Sequence, residues 1–450
     1  MKKGIFLSAI VVLLAIWAFA PKQSSEKLLQ SGPMLGYAEM KEVMLWVQTN
    51  EPSTVQFKYW EKGTSAPVFL TETYQTNKKE GYTARLIADE VQPGKTYEYA
   101  LYINYDLIEL TDRTLEFKSL PLWQFRTDPP NFSVAVGSCL YVNEEATDRP
   151  GKPYGGEYGI FEKIADSKPD VMVWLGDNTY FREPDWNTFT GMLHRHTHTR
   201  SIKELQKLLS STHNYAIWDD HDYGPNDHNK SFIHKQKALD AFQLFWGNPT
   251  YGFEDEPCVA TQFDWGDAQF FMLDNRWFRD ANNTVRENPD YFGEKQLNWL
   301  INALKASNAH FKIVCAGGQI INDAAVYENY ACYKEERARL LAALDRERIN
   351  GVFFLSGDRH HAELSKLERE GAYPLYDLTT SPLTSGTHMS RDEGNTLQVP
   401  ETLVSERNFA LLNFSGEFKN RSMKMQIINN LGKLKWEKTL LANDLKYPVN

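Results

Sequence analysis

Hydrophobic and polar positions alternate along the early part of the chain. Val43–Val47 is an unbroken apolar run. Val55, Phe57 and Tyr59 alternate with polar neighbours, and Tyr97, Tyr99, Leu101 and Ile103 do so again after the turn signal Pro93-Gly94. A period of two with turn residues between the runs predicts half-buried strands. Residues 30–118 are therefore expected to form a small all-β, fibronectin-like sandwich. No titratable cluster stands out there, which suits a packing or substrate-orienting role. Pro121 and Asp128-Pro129-Pro130 mark a linker.

From Asn131 the period changes. Tyr158–Lys168, Phe232–Trp246, Glu294–Ser307 and Glu335–Ile349 carry apolar residues at helical spacing. Between them lie six short apolar runs: Phe132–Val136, Val171–Leu175, Tyr215–Trp218, Gln269–Leu273, Lys312–Ala316 and Val352–Leu355. Strands alternating with helices predict an α/β domain, expected over residues 131–450. It closes on further strands near Phe409–Phe414 and Met423–Ile428.

Ahead of both regions, Lys2 and Lys3 precede an apolar run from Ile5 to Ala20 that ends in Ala18-Phe19-Ala20. This is the layout of a secretory signal peptide over residues 1–22, or of an uncleaved anchor. Without a twin arginine, a general secretory route is expected, and with it a periplasmic, cell-surface or secreted protein. Membrane attachment is expected only through that segment if it is retained.

Composition adds little to the fold and more to the chemistry. The 450 residues carry 49 Lys+Arg against 59 Asp+Glu, a net charge of −10. No basic stripe for nucleic acid is expected from that balance, although bound cations can reverse the field locally. Four cysteines are too few for a disulfide scaffold. Pairing among Cys258, Cys315 and Cys332 is left open, as is the oligomeric state.

Each of the six central strands is followed at once by a polar segment: Ser138-Cys139, Gly176-Asp177-Asn178-Thr179-Tyr180, Asp219-Asp220-His221-Asp222, Asp274-Asn275-Arg276, Gly317-Gly318-Gln319 and Gly357-Asp358-Arg359-His360-His361. In open α/β sheets ligands bind at the carboxyl ends of the strands. So many carboxylates in one place would repel each other unless cations sat among them. Thiol, phenol, imidazole and carboxylate together suit a transition metal, and a carboxylate-rich neighbour suits a harder ion. Asp177, directly after a glycine at a strand end, is well placed to bridge two ions. Such a pair can generate hydroxide near neutral pH and stabilise an in-line displacement at phosphorus. No Gly-x-Ser-x-Gly elbow and no Walker loop is present.

The ordered motifs Gly-Asp-x-x-Tyr at 176–180, Trp-Asp-Asp-His-Asp at 218–222 and Gly-Asp-x-His at 357–360 resemble the PhoD-like branch of the metallophosphoesterases. Ser138-Cys139, Leu273–Arg276 and Thr380-Ser381-Pro382-Leu383-Thr384 fit the same branch. The resemblance runs from about residue 30 to the C-terminus. It implies a calcineurin-like four-layer α/β/β/α domain preceded by the β module. It also implies Fe(3+) held by Cys139, Asp177, Tyr180 and His360. Asp177 would bridge to a second ion, Ca(2+) or else Mn(2+) or Zn(2+), on Asp220 and Asp358. His221 would contact the phosphoryl oxygens or protonate the leaving group, and Arg276 and Asn226 could bind phosphate. The chain departs from the branch at Asp222, in the run after His221, and in the doubled His360-His361.

The implied activity is hydrolysis of a small phosphate ester, by a metal-activated hydroxide attacking phosphorus, in an alkaline phosphatase or phosphodiesterase. Other readings are a purple-acid-phosphatase-like enzyme, a phospholipid-headgroup phosphodiesterase, and a non-catalytic, metal-stabilised surface binding protein. Residue by residue, a plain structural reading stands beside the chemical one. Arg276 could be a salt bridge, Asp219 a cap or an orienting group, and Asp274 structural. His361 is expected to contact substrate or support a ligand. His194, His196 and His198, in a helical setting, are expected at a pocket rim or on solvated surface.

Overall fold

The computed structural model describes residues 25–65, 67–388 and 393–448. The expected signal peptide lies outside the described residues. Among them, no helix is long and apolar enough to cross a membrane.

Two large sheets form the core. One has nine strands in the order 434–441, 422–429, 408–415, 132–137, 171–175, 213–217, 29–38, 43–49 and 83–88. The run 132–137, 171–175, 213–217 is parallel, as β-helix-β connections require. The second sheet has six strands in the order 261–265, 268–272, 311–316, 352–356, 375–379 and 363–367. Its strands from 268–272 to 375–379 are parallel. Strands 171–175, 311–316 and 352–356 in these parallel runs are buried throughout, hence their near-continuous apolar sequences. Aromatic rings join the two sheets: Tyr215 stacks on Phe263 at 3.6 Å, and Phe311 meets Phe414 edge-on at 5.3 Å. Helices Ile160–Asp166, Phe189–Arg200, Lys203–Ser211, Lys235–Phe245, Glu294–Ala306 and Lys334–Arg346 complete the calcineurin-like layers.

The N-terminal strands divide between two sheets. Strands Thr54–Glu61 and Thr96–Ile103 build a separate antiparallel sheet with short flanking strands. Strands Leu29–Ala38, Val43–Thr49 and Thr83–Ala88 instead extend the nine-stranded sheet, through Leu35 paired with His213. Side chains reinforce the join. His213 Nδ1 lies 2.9 Å from the Gly36 carbonyl, Asn214 Nδ2 donates to the Leu35 carbonyl at 3.1 Å, and the Ala38 N–H donates to the Tyr215 hydroxyl at 3.0 Å. The β region thus continues one sheet of the α/β region, while its other sheet covers the outer face.

Candidate metal centre

The parallel strands deliver their chemistry at one edge. Cys139 follows strand 132–137, Asp177 follows 171–175, Asp220 and His221 follow 213–217, and Asp358 and His360 follow 352–356. Cys139, Asp177, Asp358 and His360 all have φ between 53° and 66°. Left-handed backbone at non-glycine residues is unfavourable and clusters at functional sites. Gly176 is required between them. Its φ is +96°, and a Cβ there would lie 2.7 Å from the Asp219 Cβ and backbone N.

Among the described residues three overlapping donor groups result, each with its ligand atoms within 4.8 Å of one another: Cys139/Asp177/His360, Asp177/Asp220/His221 and Asp220/Asp227/Glu328. Asp177 belongs to two of them and Asp220 to two. The Tyr180 hydroxyl donates to Asp177 Oδ2 at 3.0 Å and lies 3.5 Å from His360 Nε2. The Cys139 Sγ sits 3.6 Å from Asp177 Oδ2 and accepts from the Ser381 hydroxyl at 3.1 Å. The Tyr154 hydroxyl is 3.2 Å from His360 Nδ1. His221 stacks on Tyr180 with centroids 4.2 Å apart, and its Nε2 is 3.9 Å from Asp220 Oδ2.

The buried groups of the cluster shift one another's ionisation. Burial, and then the charges of Asp220, Asp219, Asp222 and Asp358, push the Asp177 carboxyl well above its ordinary range. Burial and Asp219 raise Asp358 to about 7. Burial, with Asp177 and Asp358, raises the Cys139 thiol, and burial with Asp177 and Cys139 raises the Tyr180 phenol. Burial followed by His221 lowers His360 to about 4, leaving a neutral imidazole fit to coordinate. Asp220 goes the other way: burial raises it, but His221, Arg276 and the Asp227 N–H together outweigh that. Cations among these donors would remove the repulsion, and the donor types suit one softer and one harder ion.

The expected site residues fare differently. Cys139, Asp177, Tyr180, Asp220, His221 and His360 come together. Asp358 lines the same cavity, as does exposed Asn226. Arg276, expected as a phosphate fork, is not open to that cavity. It is 1% exposed, donates through Nε to Asp219, and forms a fork with Glu328 at 3.0 and 2.6 Å. Its donors are consumed by carboxylates behind Asp220, so it positions Asp219 and Glu328.

Asp219 caps the short helix Asp220–Tyr223 and accepts from Asn275 at 2.8 Å. Asp274 holds the turn after its strand, accepting from the Arg276 and Trp277 N–H groups at 2.8 Å. His361 is fully buried, 3.8 Å from Glu363, not at the substrate side. His196, expected on a rim or at the surface, is core. It stacks on Phe245 at 4.9 Å, and burial lowers its pKa to about 3. All four cysteines are free. Asp227, Glu328, Ser381 and Tyr154 were not singled out by sequence reasoning as site residues. Asp227, eight residues after the cap Asp219, had a local signal in Asn226-Asp227; Glu328 had none.

Compared with known proteins, the chain has the fold of two solved phosphatase structures. It aligns with a structure titled "Structure of PhoD" at a TM-score of 0.76 and 16% identity, covering 95% of this chain and 93% of that one. It aligns with purple acid phosphatase PPD1 from yellow lupin (Lupinus luteus) seeds at a TM-score of 0.66 and 11% identity, covering 93% of this chain and 76% of that one. Fold and strand-end centre together define a calcineurin-like architecture. The PhoD-like phosphatase family matches residues 134–427, and the chain belongs to that family. A domain of unknown function, DUF7800, matches residues 26–113. Alkaline phosphatase D of Bacillus subtilis (strain 168) is 23% identical over 336 residues, 64% of this chain and 54% of the relative. The chain thus spans about half the length of this curated relative.

Proposed function

We propose that this protein is an exported, metal-dependent phosphoric ester hydrolase of the alkaline phosphatase or phosphodiesterase type, acting on a small phosphate ester. One observation carries the reading: the Asp177 carboxylate is shared by a thiol–imidazole group and a carboxylate–histidine group at one sheet edge. Membership of the PhoD-like family supports it. Cys139, Asp177, Tyr180 and His360 would hold Fe(3+), because thiolate and phenolate favour a transition ion. Asp177, Asp220 and Asp358 would hold Ca(2+), with Mn(2+) or Zn(2+) as the other candidates. Bound cations supply Lewis acidity, neutralising phosphoryl charge and making water a nucleophile near neutral pH.

The chain's own residues supply the rest. His221, kept neutral mainly by burial, faces the cavity and can donate one N–H to a phosphoryl or leaving oxygen. Asn226 offers an amide beside it. Arg276 and Arg279 grip Glu328, and Arg276 also holds Asp219, which fixes the acidic wall. In this reading residues 1–22 are the export signal, 30–118 an orienting β module and 131–450 the catalytic region.

The test combines elemental analysis with hydrolysis of p-nitrophenyl phosphate and bis(p-nitrophenyl) phosphate by metal-loaded protein, with Asp177→Asn and Cys139→Ser alongside. Turnover of either ester, lost in both variants, is expected. Stoichiometric metal with no turnover of either ester would sink the reading.

A further inference from the structure

A second cavity, of about 640 Å³, opens beside the metal centre and shares Tyr154, His221 and Asn226 with it. Its walls include Tyr141, Phe181 and Trp186, and exposed Arg149 and Lys152 stand at its mouth. Deeper in is Arg182, its side chain 11% exposed. Among the described residues its Nε is buried with no hydrogen-bond partner. The carboxylate that approaches it, Glu183, stays 3.8 Å from Nη2 and is itself 57% exposed.

Other nearby carboxylates are already engaged. Asp185 pairs with Arg195 at 2.8 Å, and Glu144 pairs with Arg195 and His194 at 2.7 and 2.9 Å. Asp148 accepts from the Tyr141 hydroxyl at 2.6 Å and the Glu144 N–H at 2.8 Å. Three cations therefore line this cavity against two carboxylates, Asp148 and Glu183. The most buried cation, Arg182, lines the cavity and carries a buried, unpaired Nε, an arrangement that is costly. Arg276 is the reverse case, with its donors already taken. Arg359, in the metal cavity, also leaves its Nε unpaired but is tied to Glu393; Arg182, in the neighbouring cavity that His221 also lines, has no carboxylate closer than Glu183 among the described residues.

We propose that this cavity is a subsite for one ester substituent of a phosphodiester, a planar group carrying its own negative charge, and that Arg182 is the specificity-determining residue. Exposed Tyr154 and half-buried Trp186 offer ring faces for the planar group, and a guanidinium matches a phosphate or carboxylate fork. This rests on the hydrolase reading above.

The experiment compares thymidine 5′-(p-nitrophenyl phosphate) with its 3′-phosphorylated counterpart, which differ only in the added anion. Metal-loaded wild-type protein is expected to prefer the 3′-phosphorylated ester in kcat/KM by about tenfold, the scale of one charge-assisted contact. That preference should vanish in Arg182→Gln, return in part in Arg182→Lys, and shrink less in the Arg149→Gln/Lys152→Gln double variant. Binding of thymidine 3′,5′-bisphosphate, followed by tryptophan fluorescence, gives a readout that needs no turnover. It should weaken about tenfold in Arg182→Gln. An unchanged substrate ratio, or bisphosphate binding indifferent to Arg182, overturns the proposal. Arg182-dependent binding without hydrolysis of either ester supports the subsite and counts against the hydrolase reading alone. If Arg182→Gln fails to fold, the same two comparisons are read from Arg182→Lys and the double variant.

Discussion

The outer N-terminal sheet and the strand-end centre follow opposite rules. In the outer sheet, strands 54–61 and 96–103 pair Val55 with Ile103, Phe57 with Leu101 and Tyr59 with Tyr99. Every one of these is buried, and each alternates with a half-exposed neighbour. Tyr97 stacks on Phe117 at 5.2 Å. Propensity, pattern and packing agree there, which is how a stable sheet is specified. The metal centre breaks each of those rules. It buries carboxylates against one another, holds four non-glycine residues in left-handed backbone, and places a thiol and a phenol where both are pushed away from ionisation. The first region stores stability; the second concentrates unfavourable terms that a bound cation would offset.

Variants can press on that contrast. Asp177→Asn should cost at least roughly 10²–10³-fold in kcat/KM, the scale for losing one charge-stabilising group. The melting temperature of chelated Asp177→Asn should not fall, because one of several repelling carboxylates is gone. A large loss of stability there would erase the contrast.

Glu328→Gln should destabilise the fold by about 3–5 kcal/mol, since it strands the buried guanidinium groups of Arg276 and Arg279. Denaturant midpoints measure it. Leu101→Ala should cost about 2–5 kcal/mol through a core cavity while leaving kcat/KM of the folded protein unchanged. A matching fall in kcat/KM would mean that the outer sheet shapes the centre.

Acid should weaken the join between the regions. Burial lowers His213 from 6.5 to about 4 and His196 to about 3. Between those values and 6.5 the unfolded chain binds more protons than the folded one, so stability should fall as pH drops through that window. His196→Phe should flatten the fall, read by melting temperature against pH. The smallest effect is expected for Tyr99→Phe, which loses one buried hydrogen bond to the Ser210 carbonyl, worth about 1 kcal/mol.

Much of the α/β region was legible because period and length agreed. The expected strand Val171–Leu175 coincides with the observed one, and expected helix Glu294–Ser307 differs from Glu294–Ala306 by one residue. The strand-end motifs also located the donors, since a residue just past a parallel strand is placed by the strand itself. Arg276 shows where that inference stopped. Its position after a strand resembled that of a ligand-binding residue, yet its chemistry was set by Glu328, 52 residues away in sequence. His196 misled for a similar reason: three alternating histidines on a helix face different ways, and only packing against Phe245 and Phe181 made the middle one core.

The sequence by itself determined the local elements, the sheet edge that carries chemistry, and the types of donor collected there, because those depend on near neighbours in the chain. Tertiary structure decided which guanidinium is satisfied and which is open, that Asp220 also meets Asp227 and Glu328, and that strand 29–38 joins strand 213–217 across Leu35 and His213. Those outcomes turn on charge pairing and sheet register between distant segments. Coulomb energy and hydrogen bonding respond to separation in space, which spacing along the chain does not encode.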